Sequence, residues 1–154
     1  MKVSLDELIG YIEMQVDESR SFINRKTGEI VSVSSEALRN AEEMDDDEIL
    51  ELLDWQQEEM RIAIDIEENF MDYEGIPKQF EVNEYRMMER FCYSVKNERK
   101  MNALLEAING RGAFRRFKDK VTSLGLDDQW YQFRDECYKQ FAMDWCDARG
   151  IDYE

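Results

Sequence analysis

The chain has 154 residues, a net charge of −16 from 36 acids and 20 bases, 43% apolar residues and no histidine. That length suits a single domain, 1–154, able to bury roughly 70% of its unfolded surface and so to fold without a disulfide or a metal. The missing histidine excludes Ser-His-Asp and Cys-His nucleophile pairs and His-containing zinc and haem sites, and the acidic balance argues against general binding to nucleic acid or anionic membranes while leaving room for a local basic patch.

Ser4 and Glu7 stand as a capping-box pair with Val3 and Leu8 at the staple positions, and Leu5, Leu8, Ile9, Ile12 and Val16 repeat at helical spacing as far as Asp17. Residues 21–24 and 30–34 carry β-formers with alternation, and 25–29 between them are turn residues. This predicts a β-hairpin over about 20–34 with Gly28 at positive φ. Residues 35–44 carry little signal. Helical periodicity returns after Asp45-Asp46-Asp47 through Ile49, Leu52, Leu53, Met60, Ala63, Ile64 and Glu67. Asp54 and Gln57 look like a second capping pair, so 45–69 is either one helix or two with a break near Asp54. Alternation over 70–76, closed by Pro77, predicts a short third strand.

The second half reads as helix throughout. Asn83 caps the first helix there, with Val82 and Met87 as its staple and Tyr85, Met88, Phe91, Cys92 and Val95 on its inner face. Met101, Leu104, Leu105 and Ile108 mark the next, closed by Asn109-Gly110. Another runs over about 113–123 and stops at Leu124-Gly125. The last is capped by Asp127 or Asp128, carries Trp130, Phe133, Cys137, Phe141 and Trp145 at spacings of three and four, and ends at Gly150. The fold class is therefore α+β, a small antiparallel sheet with a mainly helical second half.

Three cysteines, Cys92, Cys137 and Cys146, form an odd set without CxxC spacing, which reads as reduced, buried thiols in a cytoplasmic protein. No apolar run approaches the roughly 18 residues of a membrane-spanning helix, and Asp6 and Glu7 within an amphipathic pattern are unlike a signal peptide. The run Asp45-Asp46-Asp47-Glu48 lacks the ligand spacing of an EF-hand. Glu58-Glu59 and Glu67-Glu68 point to different sides of a helix. No catalytic residue, metal or cofactor is expected.

Charge is segregated along the chain. Residues 41–78 hold fifteen acids and two bases, while 96–120 hold eight bases and three acids. A helix over 46–69 would be about 36 Å long and carry ten acids, close to the phosphate spacing of one nucleic-acid strand. Asp47, Glu51, Asp54, Glu58, Asp65 and Glu68 would lie on one stripe, interrupted by Arg61. Such a face would dock on a basic protein, by imitation of nucleic acid or by charge alone, or it is simply a solvated face. In the basic segment, Arg111, Arg115, Arg116 and Lys118 are candidates for contacting RNA or a phospholigand, with Gly110 and Gly112 permitting a tight backbone turn. The alternative is that Phe114 and Phe117 pack in the core while the bases pair with the chain's own acids. The aromatic final helix reads as a stacking surface for bases or as a partner packed on the Phe114–Phe117 helix.

The block Gly110-Arg111-Gly112-Ala113-Phe114-Arg115-Arg116-Phe117-Lys118-Asp119 resembles the signature of a bacterial family of unknown function, uncharacterised protein family 0158. The opening Lys2-Val3-Ser4-Leu5-Asp6-Glu7-Leu8-Ile9 is similar too, as are Thr27-Gly28-Glu29-Ile30-Val31 and Trp130-Tyr131 with Phe133. The resemblance implies a small bacterial intracellular protein and brings no activity, substrate or site residue. The residues themselves lead to the expectation of a non-enzymatic interaction or regulatory protein that binds a basic protein, with RNA as the alternative partner.

Overall fold

The computed structural model describes residues 1–14 and 17–154; Val16, the last position of the first helical pattern, lies outside the described residues. The order is α1 (Leu5–Glu13), β1 (Ser19–Asn24), β2 (Ile30–Ser34), α2 (Ser35–Glu43), α3 (Asp46–Leu50), α4 (Asp54–Glu68), β3 (Tyr73–Gly75), α5 (Glu84–Ser94), α6 (Glu98–Ala107), α7 (Ala113–Ser123) and α8 (Asp127–Ala148), with short 3-10 turns at Phe70–Asp72 and Gln79–Val82. The strands form one antiparallel sheet in the order β2-β1-β3, so the fold is α+β. Two compact units divide the chain: Met1–Gln79 with Ala142–Glu154, and Phe80–Phe141.

In the first unit, Ser4 caps α1, its hydroxyl accepting the Glu7 N–H at 3.3 Å, and the staple residues Val3 and Leu8 are fully buried. Val3 pairs in parallel with Tyr153, through Val3 N–H to Asp152 O at 2.9 Å and Glu154 N–H to Val3 O at 3.0 Å. The hairpin is in register Ser19↔Ser34 to Ile23↔Ile30. Its turn is an Asx turn, Asn24 Oδ1 accepting from the N–H groups of Lys26 and Thr27. Gly28 has φ +79°, and a Cβ there would lie 2.7 Å from the Lys2 carbonyl oxygen. Both the turn and the close approach of the N-terminal segment thus require glycine.

Residues 35–44, weak in sequence, form α2. Ser34 ends β2 and caps this helix through its hydroxyl, which accepts the Ala37 N–H at 3.0 Å. Ala37, Leu38, Ala41 and Met44 turn inward. Together α2 and α4 pack on β2, where Phe22, Val33 and Ile66 form one cluster and Ala37, Met60 and Ala63 a neighbouring one. The third strand is shorter than expected. Residues 70–72 are a 3-10 turn closed by Asp72 N–H to Asn69 O at 2.8 Å, and only Tyr73–Gly75 pairs with β1.

The second unit is helical. Asn83 caps α5 with φ 55°, accepting the Arg86 N–H at 3.2 Å. Met87, Met88, Phe91 and Cys92 are buried, whereas Tyr85, expected on the inner face, is exposed and donates its hydroxyl to Ile108 O at 3.0 Å. Phe91, Phe117, Trp130 and Phe133 form an aromatic core of edge-on contacts, with Phe117 and Trp130 centroids 4.8 Å apart and Phe91 and Trp130 5.3 Å apart, while Trp130 and Phe133 are stacked. This packing occupies Trp130. Tyr138 is fully buried and donates its hydroxyl to Glu84 Oε1 at 2.6 Å, which also accepts from Arg134 at 2.8 Å. The final helix begins at Asp127 itself. That residue is inside the first turn rather than the cap, and its carboxylate accepts the Thr122 hydroxyl at 2.8 Å.

Candidate functional site: an acidic and a basic surface

The acidic segment is two helices. Asp45 and Glu48 make the capping box of α3, and the chain breaks at 51–53 before α4. The second cap sits one residue earlier than the Asp54–Gln57 pair expected from sequence. Gln56 Oε1 accepts the Leu53 N–H at 3.0 Å, Asp54 is the first helical residue, and Gln57 Nε2 instead donates to Leu52 O at 2.8 Å. The single 36 Å ladder of acids therefore does not exist. Asp47 lies on α3 and Glu51 at its end, while Asp54, Glu58, Asp65 and Glu68 share one face of α4, about 21 Å long.

All six acids are exposed. Glu58 is bridged by Arg61, at 2.5 Å from Nη2 and 3.2 Å from Nε, which holds its carboxyl below the usual range. Asp65 accepts from the Tyr73 hydroxyl and from Asn69 Nδ2 at 2.9 Å. Burial, aided by Asp65, pushes the Tyr73 hydroxyl up to about 12. Neither Asp47, Glu51, Asp54 nor Glu68 is in an ion pair with another described residue.

Large apolar side chains stand among these acids, and of them Leu53 matches the inward pattern expected from sequence. Leu50 is 69%, Leu53 63% and Trp55 64% exposed at the α3–α4 break, and Phe70 and Met71 are exposed beyond the other end of α4. Trp55 also lines a groove of about 280 Å³ with Ser34, Asn40, Leu52, Gln56 and Glu59. Glu59 faces away from the acidic stripe. Its Oε1 accepts both the hydroxyl of Ser34, at 2.5 Å, and the Ser34 N–H, at 3.1 Å. The carboxylate thus fixes the junction of β2, α2 and α4.

The basic block divides differently. Gly112, with φ +76°, precedes α7, and Ala113, Phe117 and Val121 are its buried face. Phe114, expected beside Phe117 in the core, is 49% exposed, because the inward stripe runs through 113, 117 and 121. Arg116 folds back on the loop before the helix. Its guanidinium donates to Ala107 O at 3.1 Å and to the carbonyls of Asn109 and Arg111. A cation there satisfies carbonyls left open at the end of α6. Arg116 is thus a scaffold residue and not a free anion contact. Arg111, Arg115 and Lys118 remain exposed. None of these three pairs with an acid among the described residues, contrary to the expectation of internal pairing. No side-chain acceptor signals the role of Arg116, so its sequence looks the same as that of Arg115.

Among the described residues, no group of three His, Cys, Asp or Glu side chains is placed to hold a metal, and no helix is long and apolar enough to cross a membrane. The three cysteines are free; Cys92 and Cys146 are buried, while Cys137, expected to be buried too, is only partly so. Burial raises all three thiols, that of Cys92 to about 11, away from the reactive thiolate range.

The model of an uncharacterised protein family, UPF0158, matches residues 1–153, and the chain belongs to that family. Neither the curated proteins nor the solved structures contain a match to it.

Proposed function

We propose, for a family that brings no assigned activity, that this chain is a non-enzymatic interaction or regulatory protein whose α3–α4 surface docks on a basic protein. The observation that carries this reading is the exposure of Leu50, Leu53 and Trp55 in the midst of Asp47, Glu51, Asp54 and Glu58. Exposed apolar anchors ringed by charge of one sign are what an interface needs: the apolar side chains supply affinity, and the charges supply steering and choice of partner. Any imitation of nucleic acid would be confined to the four acids along α4. Three free thiols suit a reducing compartment such as the cytoplasm.

The test is affinity capture of the tagged chain from bacterial lysate, with and without nuclease and at low and high salt. The expected result is recovery of a basic protein that resists nuclease and is released by salt. Changing Asp47, Glu51, Asp54 and Glu58 to Asn or Gln should abolish recovery without lowering the melting temperature, since all four are surface residues. Trp55→Ala should weaken the purified complex by about 2 kcal/mol or more, as an interface anchor does. Undiminished capture by the four-residue variant would overturn the reading.

A further inference from the structure

The exposed face of α7 is a basic surface with an aromatic ring in it. We propose that Phe114, Arg115 and Lys118, with Arg111 in the turn before the helix, bind single-stranded nucleic acid, the ring stacking on a base while the three cations contact phosphates. Four observations lead there. Phe114 points away from the core that Ala113, Phe117 and Val121 make, so half of a large ring stays in water at a position where the packing does not use it. Lys118 follows Phe114 by one helical turn and Arg115 by three residues, spacings that put these side chains side by side on the helix surface. In a chain with 36 acids, Arg111, Arg115 and Lys118 nevertheless pair with none of the described ones, so their charges are open to an external anion. Arg116, bound to three carbonyls, fixes the loop that carries Arg111, so this surface is held in place before any ligand arrives.

The ring decides between strands. A duplex hides the faces of its stacked bases from a ring, whereas an unpaired base presents a face to it. An acidic polypeptide would use the cations but leave the ring without a matching partner.

The experiment is fluorescence anisotropy of the full chain with a labelled oligouridine at low salt, across a salt series. Three phosphate contacts give a slope of log K against log salt of about −2 on a single strand, and Arg115→Gln with Lys118→Gln should bring it to about −0.7. Phe114→Ala should weaken binding by about five- to 150-fold while leaving the slope unchanged, the range seen for loss of one stacked base. Both variants should melt with the parent chain, because the replaced side chains are exposed. Arg116→Gln serves as the contrast, lowering the melting temperature. Absence of binding at low salt overturns the proposal. So does equal binding of a duplex, or indifference to Phe114→Ala. Displacement by polyglutamate as readily as by unlabelled oligouridine would reassign the surface to acidic proteins.

Discussion

On α4 and on α7 the chain puts charge of opposite sign over very different foundations. Beneath the acids of α4 lie Met60, Ala63 and Ile66, a thin aliphatic face completed by α2 and the sheet. Beneath the bases of α7 lies Phe117, clasped by Phe91 and Trp130. Each helix turns one charged residue inward as scaffold, Glu59 toward Ser34 and Arg116 toward the α6–α7 loop. Two of the four acids on the α4 face have partners in Arg61 and in Tyr73 with Asn69. The free cations of α7 have none. Surface ion pairs are worth about 0–1 kcal/mol, so folding exerts little pull toward pairing them. What distinguishes the two surfaces is the placement of apolar groups: at the ends of the acidic face, in the middle of the basic one.

That contrast can be tested within single helices. The largest effect is expected from Phe117→Ala, which empties a fully buried position and should cost about 3–5 kcal/mol in denaturant unfolding, while Phe114→Ala should stay within about 0.5 kcal/mol. Equal costs would mean that α7 is rotated from the position described. Next, Arg116→Ala should cost about 1 kcal/mol by removing the part-buried bond to the Ala107 carbonyl, whereas Arg115→Ala should be near neutral. Loss of stability from Arg115→Ala would end the description of that side chain as free.

The smallest effect concerns the acidic side. The hydroxyl of Tyr73 is raised from 10.0 to about 12 in the folded chain. Its contribution to stability is therefore fully present below pH 10 and is lost as the pH climbs through 12. An alkaline absorbance titration should show tyrosines ionising late, Tyr73 and Tyr153 among them, and Tyr73→Phe should shrink that late step by one tyrosine.

The caps made much of this fold legible. Ser4, Asn83 and Gly28 each declare a backbone conformation through their own chemistry, and the structure holds each as expected. Residues 35–44 were opaque because Ser34 serves as the last residue of a strand and the cap of a helix at once, and the strand pattern masked the cap. Phe114 is ambiguous in sequence because Phe114 and Phe117, three residues apart, suit an inward stripe as well as 113, 117 and 121 do; only the neighbouring helices decide which stripe is covered. Exposure at Leu53 is hidden for the same reason, since it matches the inward pattern of 49, 52 and 60, whereas Leu50 and Trp55 fall outside that pattern. The candidate acids and bases could be named from charge alone, but the separation of Arg116 from Arg115 depends on where a carbonyl lies.

The single carboxylate of Glu59 also has a mechanical meaning. It grips the hydroxyl and the amide of Ser34, and that hydroxyl in turn holds the first turn of α2 through Ala37. A pull on α4 is therefore handed, within one side chain, to the end of β2 and the start of α2. One carboxylate thus ties α4 to two other elements at once, so loss of Glu59 would loosen the end of β2 and the start of α2 together.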